Sequence, residues 1–108
     1  MKTKKLRMKE RIVKFERGPP KKKYTVYIRN NKTRKIRRVH FGGRGYVQYR
    51  DSTPLQLYKK DNHGDIKRMR RYFKRHSGTY KRGEAIKKER IHSKGYYTPK
   101  LLSHIYLW

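Results

Sequence analysis

Tyr24-Thr25-Val26-Tyr27-Ile28, followed by Asn30-Asn31-Lys32-Thr33 and a return from Lys35 to Phe41, is the stretch on which the fold turns. Alternation puts Tyr24, Val26 and Ile28 on one face and Thr25, Tyr27 and Arg29 on the other, the pattern of a half-buried strand. The Asn-Asn turn tolerates left-handed geometry, and Val39 and Phe41 then share a face of a second strand. A basic β-hairpin is predicted. A hairpin alone is barely stable in water, so its apolar face must meet later helices, a third strand from Ile12 to Phe15, or a partner chain.

Upstream, Gly18-Pro19-Pro20 forbids helix and makes a stiff turn, and residues 1–22 read as a basic N-terminal arm. Residues 23–108 are then expected to form a single small α+β domain, a β-hairpin or three-stranded sheet packed with two short helices, with extended termini. Downstream comes His40-Phe41-Gly42-Gly43-Arg44-Gly45-Tyr46-Val47-Gln48-Tyr49-Arg50-Asp51-Ser52-Thr53-Pro54. Its glycines lack both the dinucleotide fingerprint and the Gly-Lys-Ser/Thr ending of a P-loop. We read it as a joint: a glycine exit, then Tyr46, Tyr49 and later Tyr58 as half-buried anchors, with stacking on bases as the less favoured role.

Thr53-Pro54-Leu55-Gln56 has the form of a capping box with Pro at the first helical position, which predicts a short helix to about Lys60. Asp65 caps a second helix, Ile66 to His76, with Ile66, Met69 and Phe73 on one stripe and cations on the remainder. Ser77-Gly78 ends it. Residues 79–94 show no firm period; a weak helix from Glu84 to Ile91 competes with a variable basic loop. The last eight residues, Leu101 to Trp108, carry no Asp, Glu, Lys or Arg, so they are expected to be buried, either folded back on the hairpin or docked in a neighbour.

With 34 Lys plus Arg against 7 Asp plus Glu, the chain carries a net charge of +27 over 108 residues, spread along its length. That calls for a polyanionic or acidic partner: nucleic acid, acidic protein surfaces or an anionic membrane face. Only 32% of residues are apolar, so part of the chain is expected to be ordered by its partners, yet the ten tyrosines argue against plain disorder. There is no cysteine, hence no disulfide or thiolate site, and no oxidising compartment is required. No apolar run approaches the roughly 20 residues of a membrane span, and no signal peptide is read at the start.

For catalysis, Asp61, Asn62, His63 and Asp65 are the one dense polar set, and a helix stop followed by a helix cap explains them without a metal. No nucleophile–base arrangement is legible from residue order. No cofactor and no enzymatic activity are expected. As a nucleic-acid binder the chain would meet phosphates through the hairpin and the Lys67 to Arg75 helix. It has no zinc finger, RRM or KH signature to read bases.

The ordered series Val39-His40-Phe41-Gly42, Gly45-Tyr46-Val47-Gln48-Tyr49, Asp51-Ser52-Thr53-Pro54, His63-Gly64-Asp65, Lys67-Arg68, Arg71-Tyr72, Lys74-Arg75-His76, Gly95-Tyr96 and Leu107-Trp108 resembles a family of small basic proteins of unknown activity encoded by large double-stranded DNA viruses. The resemblance covers about residues 39–108. It implies a virion-associated structural protein, made in the host cytoplasm or nucleus, and in the first place a minor capsid or cement protein bridging capsid components. The alternatives are a DNA-binding protein that condenses or packages the genome and, third, a ribosomal-type RNA-binding protein. Partners would be capsid and other virion proteins, with nucleic acid or an anionic inner-membrane surface as further contacts. In that setting Tyr46, Tyr49, Phe73, Tyr96, Ile105, Leu107 and Trp108 would be core or docking anchors, and Arg68, Arg71, Lys74 and Arg75 the electrostatic contacts.

Overall fold

Tyr24, Val26 and Ile28 are wholly removed from solvent, and the strand that carries them is the centre of the sheet. The computed structural model describes residues 7–108. Its sheet is antiparallel, in the order β1 (Glu10–Arg17), β2 (Lys22–Asn30), β3 (Ile36–Gly43). Register follows the alternation: Val26 pairs with Phe15 and Val39, Tyr24 with Arg17 and Phe41. On the opposite face Thr25 meets His40 at 2.7 Å and the Tyr27 hydroxyl donates to Glu16 at 2.6 Å. The β2–β3 turn is closed by Asn30 Oδ1, which accepts from the backbone N–H groups of Lys32 and Thr33, each at 2.9 Å.

Strand β1 lies within the stretch read as an arm and takes in the third strand expected from Ile12 to Phe15; of that arm, residues 1–6 fall outside the described residues. Beyond its ladder with β2, β1 is tied to β3 and to the segment before α3 by a single buried carboxyl. Glu10 accepts two hydrogen bonds from Arg37 of β3, at 2.7 and 2.8 Å, and a third from the Tyr97 N–H at 2.8 Å. Burial alone would raise its pKa, but those bonds and the Arg37 charge outweigh it and hold the carboxyl below its ordinary value. A bulge between Ile12 and Lys14 turns Val13 outward.

The helices are α1 (Ile66–Ser77), α2 (Arg82–His92) and α3 (Pro99–Tyr106). The chain is thus α+β, a three-stranded sheet packed with short helices. Asp65 caps α1 by accepting from the N–H groups of Lys67 and Arg68, and Gly78 ends it in left-handed conformation. The stripe expected on α1 is corrected at one position. Phe73 is fully buried and Met69 partly so, but Ile66 is 57% exposed, and half-buried Tyr72 takes its place. The segment 79–94 contains α2, which buries Ala85, Ile86 and Glu89. Glu89 pairs with Lys100 of α3 at 3.4 Å, and such long-range pairing leaves no local period to read.

The helix expected from Pro54 to about Lys60 does not form; only a 3-10 turn, Lys59–Asp61, is present. Leu55 and Leu57 have no core to face, at 42% and 37% exposed. The Thr53 hydroxyl caps Gln56 N–H at 3.1 Å as expected, but it donates to Asp51, and Gln56 takes a positive φ of 48° that stops any helix.

The C-terminal segment folds back on the hairpin. Thr98 caps α3 through Leu101 N–H at 3.0 Å, and Leu102 and Leu107 join Tyr24, Val26, Ile28, Val39, Phe41 and Tyr58 in the core. Phe15 and Tyr106 meet edge to face, centroids 5.0 Å apart. Among the described residues no helix is long and apolar enough to cross a membrane.

Candidate anion-binding cleft

The joint 42–62 has almost no regular structure and is held instead by a buried polar network. The Tyr24 hydroxyl donates to Asp51 and accepts from Leu57 N–H at 2.8 Å. Asp51 also accepts from the Thr53 N–H at 3.0 Å, the Thr53 hydroxyl at 2.7 Å and the Tyr58 N–H at 3.1 Å. Gln48 donates to the Tyr58 carbonyl and to Asn62 Oδ1, both at 2.8 Å, and Asn62 Oδ1 accepts in turn from Asp51 N–H. Every buried polar group named here has a partner, so the loop is held in place without regular secondary structure.

Lys23 completes the network. It is 1% exposed, and its ammonium donates to the Tyr46 carbonyl at 2.6 Å and to Gln48. Burial pulls its pKa down, while the charges of Asp61 and Asp51 partly oppose that. The backbone around Tyr46 to Gln48 is thereby fixed to β2.

Between this loop, α1 and the C-terminal turn lies a cleft of about 380 Å³. Lys23, Gly42, Gly43, Tyr46, Val47 and Gln48 line one side. Arg68, Arg71, Tyr72, Arg75 and His76 of α1 line the other, with Ser103, Leu107 and Trp108 at the base of α3. Arg68, Arg71 and Arg75 share one helical face by their spacing, and all three are exposed. Trp108 stacks on Tyr72, centroids 4.2 Å apart and planes 3° from parallel. Burial lowers the pKa of His76, assisted by Arg75 and Lys100, which favours the neutral ring.

The residues singled out in the sequence are thus divided. The cleft gathers Arg68, Arg71 and Arg75 with Tyr46, Leu107 and Trp108. Lys74 points elsewhere, over the Tyr80 ring at 5.3 Å. Phe73 is core, Tyr96 lies under Lys9 beyond the sheet edge, and Tyr49 and Ile105 line a second cavity with Met69 and Trp108. Tyr46 is not a half-buried anchor: it is 74% exposed, because Gly43 and Gly45 carry it outside the core. Lys23, Tyr72 and Gly43 were missed; a cation next to a core tyrosine and a helical aromatic among cations gave no signal of convergence.

Ser77, His104 and Tyr72 form a linear hydrogen-bonded set, Ser77 Oγ 2.8 Å from Nε2 and Tyr72 Oη 2.9 Å from Nδ1. The order superficially matches a nucleophile, a base and an orienting group. Yet burial, with the charges of Lys100, His76 and Arg82, lowers the His104 pKa to about 4, and Ser77 does not line the cleft. The set ties α1 to α3. Among the described residues no three or more His, Asp or Glu side chains converge as for a metal ion.

Comparison with known proteins gave no match: no family model fits the chain, and no curated protein or solved structure matches it.

Proposed function

We infer that the chain is a non-enzymatic structural protein that binds a polyanion, with nucleic acid as its partner, in the virion of a large double-stranded DNA virus. The observation that carries this reading is the use of the carboxyl groups. Six of the seven, Glu10, Glu16, Asp51, Asp65, Glu84 and Glu89, are engaged within the chain, while the guanidinium groups of Arg68, Arg71 and Arg75 donate to no protein acceptor among the described residues. Internal pairing cannot neutralise so large a cationic excess, so the counter-charge comes from outside. The virion setting rests on the family resemblance.

A second reading, a minor capsid cement, draws on Leu55 and Leu57, exposed side chains on a loop that Asp51 and Thr53 hold rigid. It no longer draws on the C-terminus, since Leu107 is 2% exposed and occupied in the chain's own core.

The test is binding of the full chain to random-sequence DNA over a range of salt. A log–log slope of about −0.9 per phosphate contact, amounting to several contacts, is expected. Failure to bind DNA at low salt, together with retention on purified capsid shells, would turn the assignment to the cement.

A further inference from the structure

The cleft has more than charge. Arg68, Arg71 and Arg75 present three guanidinium groups with no protein acceptor among the described residues, and Tyr46 lines the same cleft from the loop after β3. Although 74% exposed, that ring has a seat: a Cβ at Gly43 would lie 2.8 Å from Tyr46 Cδ2, so the ring rests against a backbone only glycine leaves bare. Its carbonyl is held from below by buried Lys23 at 2.6 Å. An exposed aromatic ring, fixed at its root and sharing a cleft with unpaired guanidinium groups, combines the two elements that bind unstacked nucleotides. The volume of about 380 Å³ suits one nucleotide unit.

We propose that this cleft takes single-stranded nucleic acid, one base stacked on Tyr46 and the flanking phosphates set against Arg68, Arg71 and Arg75. This rests on the polyanion reading and narrows it, because a duplex keeps its base faces stacked inside and offers Tyr46 nothing to cover. Trp108 and Tyr72, stacked on each other, form the wall that bounds the site.

Trp108, the one tryptophan of the chain, lies on the cleft wall and reports occupancy directly. The full chain is titrated with oligothymidine, with a duplex of equal length and with inorganic polyphosphate at one moderate salt concentration, following Trp108 emission. Oligothymidine is expected to bind tightest and to change the emission. Tyr46→Ala should weaken it on the order of tenfold, Tyr46→Phe should restore it, and Arg38→Ala on the sheet should cost only a few-fold. Equal binding of all three ligands with Tyr46→Ala unaffected, or preference for the duplex, overturns the cleft assignment but leaves polyanion binding standing. Absence of binding to any of the three overturns both. Since Tyr46 is exposed, its variants should melt as the parent does, which separates lost binding from lost fold.

Discussion

The Tyr24 hydroxyl donates to Asp51, and through that contact, together with Lys23, the central strand of the sheet holds the loop that follows β3. Asp51 accepts four hydrogen bonds in all, at 2% exposure. Burial, and then the Asp51 bond, raise the pKa of Tyr24 to about 12. Replacing Asp51 by Ala leaves the Tyr24 and Thr53 hydroxyls and the Tyr58 N–H buried without an acceptor. A loss of about 3 kcal/mol or more is expected in urea denaturation. A loss under about 1 kcal/mol would show that water fills the site and that the loop does not depend on this carboxyl.

His104 makes stability depend on pH. Its folded pKa, about 4, lies below the unfolded value of 6.5, so the unfolded state binds more protons between the two. Its contribution is complete above pH 6.5 and is lost as pH falls towards 4. Between pH 7 and pH 5 the chain should lose about 2 kcal/mol from this group, read by denaturation at the two pH values. His104→Gln should flatten that slope while lowering stability at pH 7. An unchanged slope in the variant would place the proton elsewhere.

Glu10→Ala removes the acceptor shared by Arg37 and Tyr97 and should loosen β1 and the segment before α3 together. About 2 kcal/mol is expected, since Arg37 can turn to solvent whereas the Tyr97 N–H loses its partner. Hydrogen exchange should quicken in residues 10–17 and 95–98 ahead of β2. Uniform acceleration would mean that these segments do not open as a unit.

Gly43→Ala puts a methyl group where the Tyr46 ring rests. The ring is exposed and can move, so the melting temperature should shift little. Oligothymidine affinity should drop several-fold, in step with Tyr46→Ala. Unaltered affinity would mean that the seat of the ring is irrelevant to binding.

Leu107→Ala opens a hole between α3 and β3, beside Gly42, whose φ of +78° brings the backbone within reach of this side chain. The cost should be about 3 kcal/mol by urea denaturation. A neutral outcome would assign the C-terminal turn to docking on a neighbour instead of to the core.

The hairpin, the Asp65 cap and the Gly78 stop were legible in the sequence because each depends on residues a few positions apart, and the burial of Leu101 to Trp108 was legible from its composition. Alternation at Tyr24, Val26 and Ile28 has one reading in a strand, and an aromatic tail without formal charges on so cationic a chain has few places to go. Tertiary structure alone decided the rest. It extended the strand foreseen at Ile12 to Phe15 to residues 10–17 and tied it to β3 through Glu10 and Arg37, linked the helix 82–92 to α3 through Glu89 and Lys100, ordered the loop 46–62 through Tyr24 and Asp51, and brought Tyr46 and Arg71 to one cleft. Those pairs are separated by 11 to 27 positions. A buried carboxyl chooses its donor by geometry in three dimensions, and local periodicity holds no record of that choice.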